Sequence, residues 1–275
     1  MLDYKKEKEF LVCIDSDGTI MDTMTVKHVN CFGPEFINVF KITSHVEDIL
    51  NEWNKANLYS LTRGINRFQG LKEILVYVKK YGYEFEGSET FFNWVDSTKE
   101  FSVNSIKEAM KTTTDTNCFK LALDWSKAVN ESINNLPPSL AFNGVSEILN
   151  AIADKVDLVG VSSANEAAVV EEWTRLNLIS LFKEVACQNK GNKAHIISEA
   201  LALGYKKDNT IMLGDALGDL NAALKNNVWF FPIVPGKEEA SWVRFYNEAL
   251  PILLENKFNQ EYQDKLINEF NEELK

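Results

Sequence analysis

A doubly wound parallel α/β sheet, interrupted once by a long helical insertion, is the fold this sequence predicts. Three observations predict it. Short apolar runs rich in β-branched and aromatic residues recur at 10–14, 156–161, 210–213 and 228–234. Stretches with helical periodicity separate the last three runs. More than 100 residues between the first run and the second lack convincing strand alternation.

The four runs are brief and almost continuously apolar, as expected of strands buried on both faces of a parallel sheet. Residues 144–154 place Val145, Ile148, Leu149 and Ile152 on one stripe of a helix. Residues 193–203 bring Ile197, Ala200 and Leu201 together and stop at Gly204, a suitable helix end. Residues 219–226 form a short helix after a Gly-rich turn. Strand and helix alternating from about residue 140 onward give a Rossmann-like sheet. In the insertion, 35–50, 71–81, 89–100 and 117–133 read as helical, with Phe91, Phe92, Trp94 and Trp125 filling a core. Pro137-Pro138 is a stiff mark where the insertion rejoins the sheet. The expected division is a core of 1–26 and 138–275 around a helical domain of 27–137. From Lys237 onward a helical tail carries Trp242, Phe245, Tyr246 and Leu250 at helical spacing, with Trp242 packing it onto the sheet.

The chain has 275 residues, 45% of them hydrophobic, and a net charge of −11. Such an acidic balance argues against nucleic acid, whose phosphate backbone needs a basic surface, and against anionic membranes. The charged start and the short apolar run after it do not resemble a secretory signal. Cys13, Cys31, Cys118 and Cys187 lie far apart without a CxxC pair, which suggests small buried hydrophobes in a reducing cytoplasm. Oligomeric state is left open.

Three of the four strands deliver polar groups directly after their apolar runs. The first ends in Asp15-Ser16-Asp17-Gly18-Thr19, where Gly18 permits a sharp turn. The second ends in Ser162 and Ser163, followed by Asn165. The third ends in Gly214-Asp215-Ala216-Leu217-Gly218-Asp219. Open α/β sheets bind ligands outside the carboxyl ends of their strands, so these clusters should converge, with Lys190 or Lys193 nearby. Carboxylates gathered in this way call for a hard, oxygen-seeking cation such as Mg²⁺. Ser162 directly follows the apolar run and is favoured over Ser163, which either touches substrate or, with Asn165, caps the next helix.

This ordered set resembles the haloacid dehalogenase-like hydrolase superfamily, in its phosphatase branch. The resemblance implies that Asp15 is the nucleophile and Asp17 the general acid and base. It implies that Ser162 holds a phosphoryl oxygen, that a lysine neutralises charge, and that Asp215 and Asp219 complete a Mg²⁺ site with Asp15 and Asp17. The insertion then resembles the helical cap of such enzymes. Dehalogenases and phosphonate-cleaving members lack an aspartate where Asp17 stands, and transport ATPases carry Lys-Thr-Gly after the nucleophile. Gly191 and Asn192 suit a turn with Lys193 opening a helix, which resembles members whose lysine follows a Gly-x pair and favours Lys193 over Lys190.

The chemistry agrees with the resemblance: a carboxylate that attacks phosphorus splits one hard hydrolysis into two easier steps. The expected activity is Mg²⁺-dependent hydrolysis of a small phosphate ester through an aspartyl phosphate. A phosphomutase sharing that intermediate, or a binding module for Mg²⁺ and phosphate, is the alternative. In the insertion, Arg63 and Arg67 flank Gly64 and Asn66. They read either as a solvated loop or as a grip on an anionic part of the substrate. His28, His45 and His195 carry no ligand spacing.

Overall fold

The computed structural model describes residues 2–275, which divide into two compact units. One comprises the chain up to Met24 together with Pro138–Lys275, and the other is Thr25–Pro137.

The second unit is helical. It runs through α1 (Met24–Lys27), α2 (Gly33–Val39), α3 (Val46–Leu58), α4 (Arg67–Val78), α5 (Ser88–Ser97), α6 (Val103–Lys111) and α7 (Asn117–Asn134). The stretch 35–50, read as helical, spans parts of two helices. Lys41 and His45 adopt left-handed backbone with φ of 53° and 56°, which ends α2 and resets the chain before α3. Asn66 opens α4 with a capping box: its side chain accepts from Phe68 N–H, and the Gln69 side chain accepts from Asn66 N–H. Phe36, Trp53, Phe91, Phe119 and Trp125 form the centre of this unit's core, while Trp94 packs at its edge only partly buried. The two buried indoles keep their N–H groups satisfied. Trp53 donates to His28 Nδ1 and Trp125 to the Phe32 carbonyl, both at 3.1 Å.

The first unit is built on β1 (Leu11–Ile14), followed after the helical unit by α8 (Val145–Ile152), β2 (Asp157–Val161), α9 (Glu166–Arg175), β3 (Glu184–Ala186), α10 (Lys193–Ala202), β4 (Thr210–Gly214), α11 (Leu217–Asn226) and β5 (Trp229–Pro232). All strands are parallel, in the order β3-β2-β1-β4-β5. Strand β3 is absent from the sequence reading because it has only three residues and begins with a charge. The tail is helical but broken, into α12 (Glu238–Arg244), α13 (Leu250–Leu254) and α14 (Gln260–Glu273).

Side chains alternate across the sheet, as strand geometry requires. Val12 and Ile14 join a cluster with Leu158, Leu213, Phe231, Trp173 and Trp242. Leu11 and Cys13 join another with Val159, Met212, Phe230, Ile197 and Phe270. Burial of both faces explains why the strands read as unbroken apolar runs. The order reverses between β1 and β4, so the crevice of this doubly wound sheet opens at the ends of those two strands.

Candidate active site

Asp15 follows the last residue of β1, and its N–H donates to the Leu213 carbonyl of β4 at 3.0 Å. The carboxylate is therefore delivered to the switch point by the ladder itself. Gly18 then turns the chain with φ of +81°. The Ser16 carbonyl accepts from the N–H groups of Thr19, Ile20 and Met21, which folds the motif back on itself. Asp17 is partly buried, and its Oδ1 accepts from the Thr23 hydroxyl at 2.5 Å.

Asp215 leaves β4 beside Asp15, and its Oδ1 accepts from the buried Thr19 hydroxyl at 3.1 Å. Asp219 sits in the first turn of α11 and is fully buried. One of its oxygens accepts from Ala216 N–H at 3.2 Å, so it caps the helix; the other accepts from Lys193 Nζ at 2.6 Å. This approach is possible because residue 214 is glycine, where a Cβ would lie 2.2 Å from Asp219 Cγ. Lys193, the first residue of α10, also reaches Asp15 Oδ1 at 2.8 Å. Its helix is opened by Asn192, whose side chain accepts from His195 N–H. Lys190 is instead turned away into an ion pair with Glu184.

The electrostatics follow from this packing. Burial pushes the Asp15 carboxyl well above the ordinary range; the Lys193 charge opposes the shift, and Asp219 and Asp215 add to it. Burial raises Asp219 as well, opposed by Lys193 and reinforced by Asp215. Burial alone would lower the Lys193 ammonium, yet Asp15 and Asp219 outweigh it and hold it above its ordinary value. Carboxylate oxygens of Asp15, Asp215 and Asp219 lie within 4.8 Å of one another. Three buried carboxylates against one ammonium leave an excess of negative charge, and an all-oxygen donor set fits a hard divalent cation such as Mg²⁺. The sequence reading put four carboxylates in this set; Asp17 stands outside the group.

Ser162 is buried just beyond β2, where its N–H donates to the Ala186 carbonyl at 2.9 Å and its Oγ accepts from Ala164 N–H at 3.1 Å. Ser163 is exposed, and Asn165 caps α9. Arg63 is buried and Arg67 partly buried, so neither lies on a freely solvated loop. Arg63 is 3% exposed, with Nη1 donating to the Leu58 carbonyl at 2.8 Å. Arg67 Nη1 donates to Ser126 Oγ at 3.0 Å and Asn130 Oδ1 at 2.8 Å, and its guanidinium lies 5.2 Å from the Phe32 ring centre. Burial lowers the Arg67 guanidinium from its ordinary value. Cys187 follows β3, but burial pushes its thiol up to about 11, which makes it a poor competing nucleophile. Thr19 and Thr23 were not singled out from the sequence as site residues; Thr19 was legible within the first motif, whereas only the fold turns Thr23 onto Asp17.

The fold is similar to those of several solved structures. A haloacid dehalogenase-like family hydrolase from Streptococcus pneumoniae has 12% identity, covers 89% of this chain and 96% of its own, and has a TM-score of 0.47. A predicted phosphatase from Clostridium acetobutylicum has 18% identity, with 90% and 98% covered and a TM-score of 0.45. A haloacid dehalogenase-superfamily hydrolase from Geobacter sulfurreducens has 15% identity, with 82% and 89% covered and a TM-score of 0.44. No curated protein matches the sequence. The model of haloacid dehalogenase-like hydrolases matches residues 93–233, a stretch that holds Ser162, Lys193, Asp215 and Asp219, while Asp15 and Asp17 precede it. More than half of the sequence falls within that match, and the chain belongs to the haloacid dehalogenase-like hydrolase family.

Proposed function

We propose that this hydrolase is a Mg²⁺-dependent phosphatase that cleaves a small phosphate ester through an aspartyl phosphate on Asp15. The observation that carries the reading is the Lys193 ammonium held between Asp15 and Asp219, at 2.8 and 2.6 Å, beside a third carboxylate. Asp15 attacks phosphorus, and the ester P–O bond breaks as Asp17 gives its proton to the leaving oxygen. Asp17 then takes a proton from water, which attacks the phosphoryl group, releasing inorganic phosphate and restoring the Asp15 carboxylate. Lys193 offsets charge on the transferring group. Ser162 Oγ, which accepts from Ala164 N–H, keeps its own proton for a phosphoryl oxygen. Asp15, Asp215 and Asp219 would hold Mg²⁺, which would supply further positive charge for that group.

The helical unit Thr25–Pro137 is the cap in this reading. The exposed Ser163 and the partly exposed Arg67 are the residues proposed for the non-reacting part of the substrate, and the buried Arg63 supports the loop that carries Arg67. All four cysteines are free thiols, which supports a cytoplasmic setting.

The test is hydrolysis of p-nitrophenyl phosphate with Mg²⁺ and with excess chelator. Turnover should require the metal, and full activity in chelator would sink the mechanism. Transfer of the trapped phosphoryl group to an added sugar instead of water would replace the phosphatase by a mutase.

A further inference from the structure

We infer that Trp173 and Trp242 are positioning residues for the loop that carries Asp15 and Asp17. Trp173 Nε1 donates to Ser16 Oγ at 3.1 Å, and Trp242 Nε1 donates to the Thr19 carbonyl at 2.8 Å. Both indoles are fully buried, as are Ser16 and Thr19. The first bond grips the residue between the two aspartates. The second grips the residue whose hydroxyl donates to Asp215 at 3.1 Å, so Trp242, Thr19 and Asp215 form one chain of hydrogen bonds. The inference rests on the phosphatase reading for its kinetic consequence, but the hydrogen bonds themselves do not.

An indole suits this task. It is a rigid body with a single directional donor, and in a dry interior losing that bond leaves a buried group unsatisfied. The two rings reach the loop from different elements. Trp173 lies on α9 and packs closely against β2 because residue 160 is glycine, where a Cβ would come within 2.9 Å of the ring. Trp242 lies on α12, beyond residue 233 where the match to the family model ends. The C-terminal segment therefore helps to position the loop and is not only a cover for the sheet. The loop needs such restraint because it is irregular backbone past the end of β1: the Asp17–Met21 bridge lies within it, and its backbone meets the segment 140–142 through the Met21–Ala141 bridge and the Asp22–Leu140 and Phe142–Ile20 bonds. A displacement of about 1 Å in a reacting group can cost roughly 10²-fold in rate.

The test compares Trp173→Phe and Trp242→Phe with Trp125→Phe, whose equally buried N–H bond lies in the helical unit. With p-nitrophenyl phosphate at saturating Mg²⁺, the first two should lose about 10-fold or more in kcat with little change in KM. Trp125→Phe should lose stability and keep kcat. Ser16→Ala should reproduce Trp173→Phe, and the double variant should be no worse than either. Trp242→Phe should also weaken Mg²⁺ binding several-fold in a calorimetric titration, through Thr19 and Asp215; that readout needs no turnover, so it stands apart from failure of the phosphatase reading. If a phenylalanine variant does not fold, benzothienylalanine at the same position keeps the ring shape and removes only the N–H. Normal kcat and normal Mg²⁺ affinity in these variants, or an equal kcat loss in Trp125→Phe, would overturn the inference.

Discussion

Lys193 Nζ lies 2.8 Å from Asp15 Oδ1 although 178 positions separate the two residues in the sequence. The ammonium comes from the first turn of α10 and the carboxylate from the end of β1, so the parallel sheet itself brings the pair together. Asp219 shares the same ammonium, so loss of Lys193 would leave two buried carboxylates without their cation, whereas loss of either carboxylate leaves Lys193 paired with the other.

Asp15→Asn keeps the volume and removes the nucleophile. Hydrolysis of p-nitrophenyl phosphate should fall by roughly 10³-fold or more, as when a covalent step is deleted, while the circular-dichroism spectrum stays unchanged. Retention of a tenth of the rate would point to direct attack by water.

The two lysines should behave differently. Lys193→Met removes the ammonium bound to Asp15 and should lower kcat by about 10²–10³-fold, the scale of a lost transition-state donor. Lys190→Met breaks only a partly exposed pair with Glu184 and should change stability by no more than about 1 kcal/mol, with kcat intact. Steady-state kinetics on both variants checks this, and the opposite pattern would move the role to Lys190.

Gly214→Ala should be far more damaging than its size suggests. The new methyl would meet Asp219 at 2.2–2.4 Å, so either the strand or the carboxylate must move. A stability loss of about 1–3 kcal/mol is expected from overpacking, with a Mg²⁺ affinity that falls because Asp219 is displaced. Denaturant midpoints and metal titration on the variant measure both, and unchanged values would contradict the packing described.

Arg67→Ala should cost stability as well as substrate affinity. Its guanidinium ties α4 to α7 through Ser126 and Asn130, and hydrogen bonds from a charged donor contribute about 1.5–3 kcal/mol. Comparing KM for a true substrate with KM for an aryl phosphate separates the roles, because remote contacts act on the non-reacting part. Equal KM in both, with a lowered midpoint, would leave only the structural role.

His28 should make the protein acid-sensitive. Burial, followed by the charges of Arg63, Arg67 and Lys27, lowers its pKa to about 3, and the neutral ring accepts from Trp53 at Nδ1. The unfolded chain protonates near 6.5, before the folded one does. Stability from this group is therefore complete above about pH 6.5 and is lost progressively as pH falls towards 3. Melting temperatures from pH 7 to 4 should drop less in His28→Asn, which retains an acceptor and cannot be protonated there; parallel curves would exclude His28 as the cause.

The sequence by itself determined the strand runs that end in Asp15, Ser162 and Asp215 and the helices between them, because burial on both faces writes a continuous apolar run and burial on one helix face writes a 3.6-residue stripe. It also singled out the acidic motifs, since two carboxylates so close together after a strand are costly without a cation or a proton. The tertiary structure brought the favoured Lys193 onto Asp15, and it alone decided that Asp17 turns to Thr23 and leaves a group of three carboxylates, and that Arg63 is buried. It alone paired Trp173 with Ser16 and Trp242 with Thr19, across 157 and 223 positions. Strand β3 belongs with these, for three residues beginning with Glu184 carry no period of their own and are strand only because β2 offers them hydrogen bonds. A local pattern records which face of a segment is buried; which groups meet there is set by the order of strands in the sheet, and no single stretch of sequence contains it.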